Sequence, residues 1–495
     1  KIEPARFAKA YIDWMENIRD WCISRQIWWG HRIPVWYCDA CGETFAALED
    51  PTECRSCGSG ELRQDPDVLD TWFSSQLWPF STLGWPDETP DLGYFYPTSL
   101  MVTGYEILYL WIARMIFSGL YFMNDIPFRE VLIHGIVRDG SGKKMSKSLG
   151  NVIDPLELID RFGADALRFS LASFATSGND VSFSEDRIEG ARNFVNKLWN
   201  AARFVLGSLG DERLEVPADD RLHVADRWIL SRLTSAVSEV DRHLEERNLA
   251  EAIRTLHRFV WSEYCDWYIE LAKMRLQGDA ATAAATKAVL THVLTHIVRM
   301  LHPVAPFVTE ELWHRLRPDA GSIMDASWPK AIPEGRDLQV EGTLERMQEV
   351  VVSLRKTKIE HGIPQGQRVD AVVASSDASA GLDELSDAIK TLARLGELTF
   401  APNVPSDATH ARAITAAGIE VSIGLGEVDL EAERAHLTKQ MADIDFEIER
   451  ARGKLANEAF VAKAPAAVVD KEKKKLEESE AAKQKLQVQL DSLDA

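Results

Sequence analysis

The 495-residue sequence is short of positive charge. Its 56 lysines and arginines face 77 aspartates and glutamates, which gives a net charge of −21 at pH 7. Because proteins hold the phosphate backbone of DNA or RNA with lysine and arginine, this balance argues against binding nucleic acid without specificity. A specific RNA contact through a local basic patch is still compatible with it.

The sequence also lacks an apolar run suited to crossing a membrane. One stretch, residues 107–123, is almost wholly apolar for 17 residues, but it contains Arg114 and is followed by Pro127. A spanning helix needs about 20 apolar residues. We therefore expect a buried helix here, no membrane partner, and a cytoplasmic protein.

Cysteine is scarce, and four of the six residues form two close pairs. Cys38 and Cys41 are separated by two residues, as are Cys54 and Cys57, and a glycine follows each pair. Two such knuckles place four thiolates in the tetrahedral arrangement of a structural zinc site. Disulfides, which are rare in the cytosol, or a redox pair are the alternatives. The two other cysteines lie among tryptophans and aliphatic residues and are predicted to be buried thiols: Cys22 and Cys265.

Positive charge is concentrated in one short loop. Residues 138–148 hold four basic residues against one acid, Asp139, and glycines at 140, 142 and 150 make the backbone mobile. The loop follows an apolar strand, 131–133, and such a loop suits a polyphosphate whose charge moves during a reaction. A solvated lysine turn is the alternative. The loop is not a Walker motif, since Lys144 stands where that motif needs serine or threonine.

The chain is long enough for three or four domains, about one per 100–200 residues. Residues 65–185 alternate apolar strands (99–102 and 131–133) with helices, which is typical of a parallel nucleotide-binding sheet. From residue 193 the apolar residues recur with a helical period, and this predicts a helical bundle. Four aromatic residues of the bundle are spaced three or four apart and are predicted to be core rather than base-stacking residues: Trp261, Tyr264, Trp267 and Tyr268. A mixed region follows, with a helix at 350–358 and a strand at 369–373.

The C-terminal tail has apolar residues seven apart, interrupted between Gly453 and Pro465. Two antiparallel helices of about 25 residues each, forming a hairpin, fit this pattern. Residues 450–475 hold eight bases against three acids, as expected for an arm that touches an RNA backbone. A coiled coil for dimerisation is the alternative. The residues we assign to RNA contact are Arg450, Arg452, Lys454, Lys463, Lys473, Lys474 and Lys475.

An ordered series of segments resembles the class I aminoacyl-tRNA synthetases, and among them the valyl-tRNA synthetases. The loop residues 144–148 match the KMSKS signature letter for letter, and further matches lie at 17–31, 67–75, 103–106, 151–155, 162–169 and 301–307. The family's other nucleotide signature, an HIGH-type motif, is absent from the sequence. The resemblance therefore suggests the C-terminal portion of a longer synthetase, without the first half of the nucleotide fold and without most of the editing domain.

The resemblance implies a fold class and four parts. The fold class is an α/β Rossmann-like catalytic remainder with a zinc ribbon insertion, an α-helical anticodon-binding bundle, a small α+β region and a C-terminal helical hairpin. The expected boundaries are 1–190 for the catalytic part (zinc ribbon 36–64, KMSKS loop 138–150), 191–330 for the bundle, 331–427 for the α+β region and 428–495 for the coiled-coil arm.

The resemblance also implies roles for single residues. Lys147 and Lys144 would neutralise phosphate charge in the transition state, with Ser146 and Ser148 as hydroxyl donors. His134 and Gly135 would lie beside the adenylate, and Glu106 would accept hydrogen bonds from the ribose, although a first-turn helix acid is the simpler interpretation. Trp29 would wall the amino-acid pocket, with a core tryptophan as the alternative.

The implied function is that of a valine–tRNA ligase, with ATP, Mg²⁺, L-valine and valine tRNA as ligands and a monomer as the oligomeric state. The chain as it stands is expected to be inactive alone and not to edit. Two rivals are an isoleucyl-type synthetase, disfavoured by the residues at 72–75 and 103–106, and a noncatalytic tRNA-binding module made of bundle, ribbon and arm.

Overall fold

The structure is a computed structural model. It describes residues 1–174, 178–209, 215–218, 221–332, 335–364, 366–405, 409–425 and 430–456, together with residues 476, 479, 480, 483 and 487. The chain divides into two compact units. One unit comprises residues 1–200, 236–258 and 297–329, and the other comprises residues 201–235, 259–296 and 330–495.

Strands and helices alternate in the first third of the chain, and helices dominate the middle. The strands are β1 Ile2–Glu3, β2 Ser24–Arg25, β3 Val35–Cys38, β4 Thr44–Ala46, β5 Leu62–Gln64, β6 Val68–Leu69, β7 Thr98–Gly104, β8 Phe128–His134, β9 Val137–Arg138, β10 Val181–Ser182, β11 Val369–Ala374, β12 Leu395–Ala401, β13 His410–Ile414 and β14 Glu420–Gly424. The α-helices are α1 Ala5–Glu16, α2 Thr71–Ser75, α3 Trp78–Ser81, α4 Pro90–Phe95, α5 Ala113–Phe122, α6 Pro155–Phe162, α7 Ala164–Ser173, α8 Glu185–Leu209, α9 Val224–Glu245, α10 Leu249–Arg258, α11 Ile269–Arg275, α12 Ala280–Leu301, α13 Pro306–Leu316, α14 Leu338–Glu360, α15 Ser386–Ala393 and α16 Leu430–Ala456.

A parallel sheet of three strands, in the order β1-β8-β7, organises the first unit. The predicted strands at 99–102 and 131–133 are confirmed as parts of β7 and β8, and their parallel pairing is confirmed as well. Val131 and Ile133 of β8 are buried together with Phe128, and they pack on Leu108 and Ile112 from the segment that follows β7. This burial on one face sets the register, because a shift by one residue would turn the apolar side chains outward.

The apolar stretch at 107–123 is a helical segment, as expected, but only its second half is regular α-helix. A 3₁₀ turn at Tyr105–Ile107 leads into a π-helical turn at Leu108–Ile112, and α5 follows. Ile112 and Met115 are fully buried. None of the described helices is long and apolar enough to span a bilayer.

Cys38 ends β3, the central strand of a small antiparallel sheet of order β4-β3-β5, and the three other knuckle cysteines lie in turns and loops. Trp36 and Phe45 form the core of this sheet together with Cys38 and Cys54. The prediction for the two remaining cysteines is half right. Cys265 is buried, whereas Cys22 is exposed, and its thiol lies 3.4 Å from the Ser24 hydroxyl. Flanking tryptophans did not imply burial at Cys22, because Trp21 directs its indole to Asp70.

The prediction of helices between residues 193 and 316 is confirmed by α8 to α13. The core interpretation of the aromatic set is confirmed for Tyr264 and Tyr268, which are fully buried in the second unit. Tyr264 donates to the Leu290 carbonyl at 2.9 Å, and Tyr268 donates to Asp226 at 2.7 Å. A buried phenol needs such an acceptor, so these rings are unavailable for stacking on bases.

The mixed region after residue 330 contains a four-stranded sheet of order β12-β11-β14-β13, with β11 parallel to β12 and antiparallel to β14. The helix predicted at 350–358 is confirmed within α14, and the strand at 369–373 within β11. In the tail, α16 covers the first predicted helix. The few described residues beyond it include Glu480 and Lys483, which pair with Arg452 and Asp445 at 2.6 Å each. The order of these pairs is that of antiparallel neighbours.

Two of the resembling segments meet in the first unit. Asp165, near the start of α7, is buried and accepts hydrogen bonds from the backbone N–H groups of Phe307 and Val308, at 3.1 and 2.7 Å. These N–H groups belong to the first turn of α13 and have no partner within that helix. Arg168 donates in turn to the carbonyl of Pro303 at 2.9 Å. The segments 162–169 and 301–307 thus stabilise one another.

We expect Asp165→Ala to lower the free energy of unfolding by about 1 kcal/mol, because it leaves two partly buried N–H groups of a helix start without their acceptor. Urea denaturation followed by circular dichroism measures the change. Asp160→Ala, which removes an exposed carboxylate from the preceding helix α6, is the matched control and should have little effect. Equal losses in both variants would contradict the capping role.

Candidate active site

The candidate site lies at the carboxyl ends of β7 and β8. The parallel register pairs Gly104, the last residue of β7, with His134, the last residue of β8. The segments that leave these strands therefore begin side by side. Open parallel sheets bind ligands at this edge. A Cβ atom added at Gly104 would lie 3.6 Å from the His134 ring, an ordinary van der Waals contact, so the two residues are close neighbours at this edge.

One carboxylate accepts hydrogen bonds from the segments that leave both strands. Asp180, just before β10, accepts hydrogen bonds from the Ile136 N–H at 3.0 Å, from the Tyr105 hydroxyl at 3.1 Å and from Arg138 Nε at 2.6 Å. Although partial burial opposes ionisation, these donors hold the pKa of Asp180 below its usual value. Sequence reasoning missed Asp180, since no motif surrounds it and its partners lie more than 40 residues away.

Gly135 has a steric role at the same place. A Cβ atom added there would lie 1.8 Å from the backbone oxygen of Asn179, so any other residue would push the strand exit away from the segment before β10. The close approach explains why glycine follows His134. The neighbour that requires glycine is therefore Asn179, and the contact of Gly135 with an adenylate stays a prediction.

A cavity of about 400 Å³ opens beside this strand exit in the first unit. Residues 134–137 form one side, and Leu171, Phe174 and Ile188 are among the residues on the other. Its lining is mainly apolar, and it also includes a few polar side chains, among them Asn179, Ser182 and Arg187. Such a lining suits a flat, mostly apolar ring system that needs few hydrogen bonds for orientation.

The cationic loop is tied down by two polar side chains. Asp139 accepts hydrogen bonds from the N–H groups of Ser141 and Lys143, at 2.9 and 2.8 Å, and Asn151 donates to its second oxygen at 2.8 Å. These donors, the Asn151 amide above all, lower the pKa of Asp139 to about 2. Gly142 and Gly150 have φ angles of 82° and 66°, which glycine adopts without strain.

The structure brings together predicted residues from separate segments. Glu106, in the turn after β7, forms an ion pair with Lys144 of the loop. Both side chains are exposed, so the pair contributes little to stability. Ser146 and Ser148 lie 3.1 Å apart through their hydroxyls, and Lys147 is exposed at the start of a short 3₁₀ turn. The loop lysines are therefore accessible to a ligand at the strand ends.

Trp29 is not enclosed in the same way. Its side chain is 91% exposed, and that of Trp28 is fully exposed. Both lie after β2, whose partner is β6. Within the described residues no pocket surrounds the Trp29 indole, so its predicted role in binding an amino acid stays a prediction.

The four knuckle cysteines converge. Their sulfur atoms all lie within 4.8 Å of one another, with 3.7 Å between Cys38 and Cys57 and between Cys41 and Cys54. Each knuckle closes with a hydrogen bond from its glycine N–H to the carbonyl of its first cysteine, at 2.8 Å in both cases. The N–H of Ser56 donates to the Cys54 sulfur and lowers the pKa of that thiol to about 7. The thiolate, the form that binds metal, is therefore favoured at Cys54, whereas hydrogen bonds with the neighbouring thiols raise the pKa of Cys41 to about 12.

The predicted RNA-contacting arm is described only in part. Arg450 and Arg452 are exposed on α16, and Arg452 is engaged by Glu480. The side chain of Lys454 and four further predicted contacts lie outside the described residues: Lys463, Lys473, Lys474 and Lys475.

Three family models match successive parts of the chain. Residues 1–184 match tRNA synthetases class I (I, L, M and V), residues 226–373 match the anticodon-binding domain of tRNA ligase, and residues 429–494 match the valyl tRNA synthetase tRNA binding arm. The parallel sheet with its cationic loop, followed by a helical anticodon-binding domain, is the architecture of a class I tRNA synthetase.

Curated relatives narrow this class. The chain is 50% identical over 490 residues to a valine–tRNA ligase of Geobacter sulfurreducens and 49% identical over 486 residues to one of Dehalococcoides mccartyi, with 97% and 96% of this chain covered. The chain belongs to the valyl-tRNA synthetase family. It spans about half the length of the curated relatives it matches, namely 55% of each of these two.

Solved structures agree on the fold. A LeuRS of Agrobacterium radiobacter K84, solved in a ternary complex with tRNA and LeuAMS, covers 80% of this chain with a TM-score of 0.54 at 20% identity, over 54% of its own length. A methionyl-tRNA synthetase of Mycobacterium tuberculosis in complex with methionyl-adenylate covers 67% with a TM-score of 0.51 at 19% identity, over 62% of its own length.

The hydrogen bonds to Asp139 predict a titration that depends on Asn151. An aspartate whose pKa is lowered on folding stabilises its surroundings above its unfolded pKa of about 3.9, and this contribution is lost as the pH falls through the folded value. The folded value here is about 2, so the loop contacts of Asp139 should persist from neutral pH down to about pH 3. NMR of the carboxyl carbon measures the midpoint. Asn151→Ala should raise that midpoint towards 3.9, and an unchanged midpoint would contradict the assignment.

Proposed function

We propose that this chain supplies the KMSKS half of the active site and the tRNA-binding domains of a valine–tRNA ligase. The reaction joins L-valine, ATP and valine tRNA through valyl-adenylate, and it yields AMP, pyrophosphate and valyl-tRNA. The observation that carries the proposal is the meeting of Glu106, His134 and the Lys144 loop at the ends of two parallel strands. It is supported by identity of about 50% to valine–tRNA ligases.

The chemistry needs positioned charge and no protein nucleophile. A carboxylate oxygen of valine attacks the α-phosphorus of ATP, the bond to the bridging oxygen breaks, and pyrophosphate leaves with the electron pair. Negative charge therefore moves towards the β- and γ-phosphates. Lys147 and Lys144 would meet this charge from the cationic loop, and Ser146 and Ser148 would donate hydroxyl hydrogen bonds. Magnesium held by the phosphates would neutralise further charge.

The remaining groups at the strand ends fit the other parts of ATP. The mainly apolar cavity beside His134 and Gly135 suits the adenine base, and the Glu106 carboxylate would accept hydrogen bonds from the ribose hydroxyls. Glu106 is paired with Lys144 when no ligand is bound. ATP binding would therefore replace this ion pair by a contact of Glu106 with the ribose and a contact of Lys144 with the phosphates. For Trp29 we propose contact with the valine methyls. Because its side chain is 91% exposed, a further surface would have to enclose the indole.

The tRNA would be held by two further parts. The helices of 191–330 would bind the anticodon stem, and the arm of 428–495 would contact the RNA backbone through its basic residues. The α+β region of 331–427 would connect them. We further propose a monomer that works in the cytoplasm.

The four converging cysteines support structural Zn²⁺. A set of four thiolates within 4.8 Å of one another has the ligand number and type that zinc accepts, and it offers no open position for substrate. The metal would hold the two knuckles and the sheet of β3, β4 and β5 together as a ribbon. Its contribution would be to folding.

Valine-dependent ATP–pyrophosphate exchange tests the catalytic proposal. The chain should show no exchange alone, and exchange should appear when the part of the Geobacter sulfurreducens relative that this chain does not match is added. Lys147→Ala should then lower kcat about 100- to 1,000-fold, because one donor to the developing charge is lost. Lys9→Ala, in helix α1 away from the loop, is the matched control.

The same assay separates the rival functions. Exchange that depends on isoleucine instead of valine would indicate the isoleucyl-type enzyme. Absence of exchange in the complemented mixture, with valine tRNA still retained in a filter-binding assay, would refute the catalytic role and leave the noncatalytic tRNA-binding module.

The zinc proposal predicts one Zn²⁺ per chain in protein purified under reducing conditions, measured by elemental mass spectrometry. Cys41→Ser should lower the zinc content to near zero and make residues 36–64 sensitive to protease, because a structural site loses its fold with its metal. Cys22→Ser, which alters an exposed cysteine outside the cluster, should retain the metal. Wild-type protein without zinc would contradict the site.

A further inference from the structure

The cationic loop is closed by a contact between its two ends. Asp139 stands at its start and Asn151 at its end, twelve residues apart, and the Asn151 amide donates to the carboxylate at 2.8 Å. Residues 140–150 therefore form a ring that is closed by this hydrogen bond. Both side chains are half-buried among the loop's own atoms, away from the apolar core of β8 and α5.

The remaining hydrogen-bonding capacity of Asn151 goes to the backbone of the KMSKS residues. Its Nδ2 also donates to the Lys144 carbonyl at 3.2 Å, and its Oδ1 accepts from the Ser146 N–H at 2.9 Å. The side chain thus holds the backbone on both sides of Met145. Only an amide provides donors and an acceptor at once, because an ionised carboxylate cannot donate and an alkyl chain can do neither.

Asp139 shapes the other half of the ring. Its Oδ1 accepts from the N–H and the hydroxyl of Ser141, at 2.9 and 2.7 Å, and from the Lys143 N–H at 2.8 Å. The single acid of the loop is therefore engaged with backbone and with Asn151, and it forms no ion pair with a loop lysine in the described structure. The positive charges of Lys144 and Lys147 stay directed to the outside of the ring, where both side chains are exposed.

We propose that Asp139 and Asn151 act as a clamp that positions the loop lysines for the migrating phosphate charge. They are positioning residues and do not touch the substrate themselves. The inference rests on the proposed function of the loop. A preorganised donor needs no rearrangement at the moment of reaction, whereas a free glycine-rich loop would have to be ordered by ATP.

The location of the clamp distinguishes it from a contact that only stabilises the fold. The clamp lies outside the strands and helices that bury apolar side chains. The chain enters the loop from β9 and continues from it to α6, and both of these elements have contacts of their own. We therefore expect Asn151→Ala to lower the thermal midpoint of the protein by no more than about 4 °C, while it alters the rate of valine activation.

The first experiment measures exchange kinetics in the complemented enzyme. Asn151→Ala should lower kcat at least tenfold and leave the KM for valine unchanged. The triple variant Asn151→Ala/Lys144→Ala/Lys147→Ala should be no slower than Lys144→Ala/Lys147→Ala, since a clamp that acts through the two lysines has no effect once both are gone. Asn196→Ala, at an exposed asparagine of α8, is the control and should match wild type.

The second experiment does not depend on activity. Hydrogen–deuterium exchange with residue-resolved mass spectrometry on the chain alone should show the Ser146 amide exchanging at least tenfold faster in Asn151→Ala, and the Lys143 amide at least tenfold faster in Asp139→Ala. Amides of β8 should not change in either variant.

The outcomes are distinct. Unchanged exchange at Ser146 would overturn the clamp whatever the activity, and so would a triple variant that is slower than Lys144→Ala/Lys147→Ala. If the complemented wild type shows no valine-dependent activity, the proposed function fails. Faster amide exchange with a tenfold loss of kcat would support both the clamp and the role of the loop.

Discussion

The parallel pairing of β7 with β8 is the interaction on which the candidate site depends. It places the ends of two strands that are separated by 30 residues side by side, so that Glu106 and the loop after His134 meet. The pairing in turn depends on the burial of Val131 and Ile133 against the helical segment after β7. Asp180 adds to this constraint. It accepts hydrogen bonds from the Tyr105 hydroxyl and the Ile136 N–H, and these fix the distance between the two segments beyond the last paired residues of the strands.

The charge of the protein and the charge of its loop act over different distances. A net charge of −21 would repel ATP at long range, but at physiological ionic strength exposed charges are screened over about 8 Å. The ligand therefore responds mainly to the lysines that it touches. Asp139 is the one acid inside the loop, and its carboxylate accepts hydrogen bonds from backbone N–H groups and from Asn151. A local cationic site can thus persist on a strongly acidic protein.

Sequence patterns predicted the parts of the fold that have a period or a spacing. Strands at 99–102 and 131–133, the middle helices and the convergence of the four cysteines follow from alternation, helical repeat and knuckle spacing. The patterns did not reveal Asp180, because a carboxylate that bonds to distant backbone leaves no local repeat. The match at 151–155 included Asn151 but indicated no role for its amide. The patterns also failed at Cys22, where neighbouring tryptophans suggested burial and a hydrogen bond to Asp70 directs Trp21 instead. The enclosure of Trp29 and the basic tip of the arm remain predictions.

Three aspartates accept hydrogen bonds from the backbone at places where regular secondary structure ends. Asp139, Asp165 and Asp180 each accept a backbone N–H that has no partner in its own helix or strand, at the loop, at the start of α13 and at the exit of β8. Each N–H lies where regular structure ends, and an ionised acceptor there contributes more than a neutral one. The acidic composition of the chain supplies these acceptors. Substituting asparagine at Asp165 would keep the shape but lose the charge, and the motif at 162–169 would then stabilise the turn at 301–307 less well.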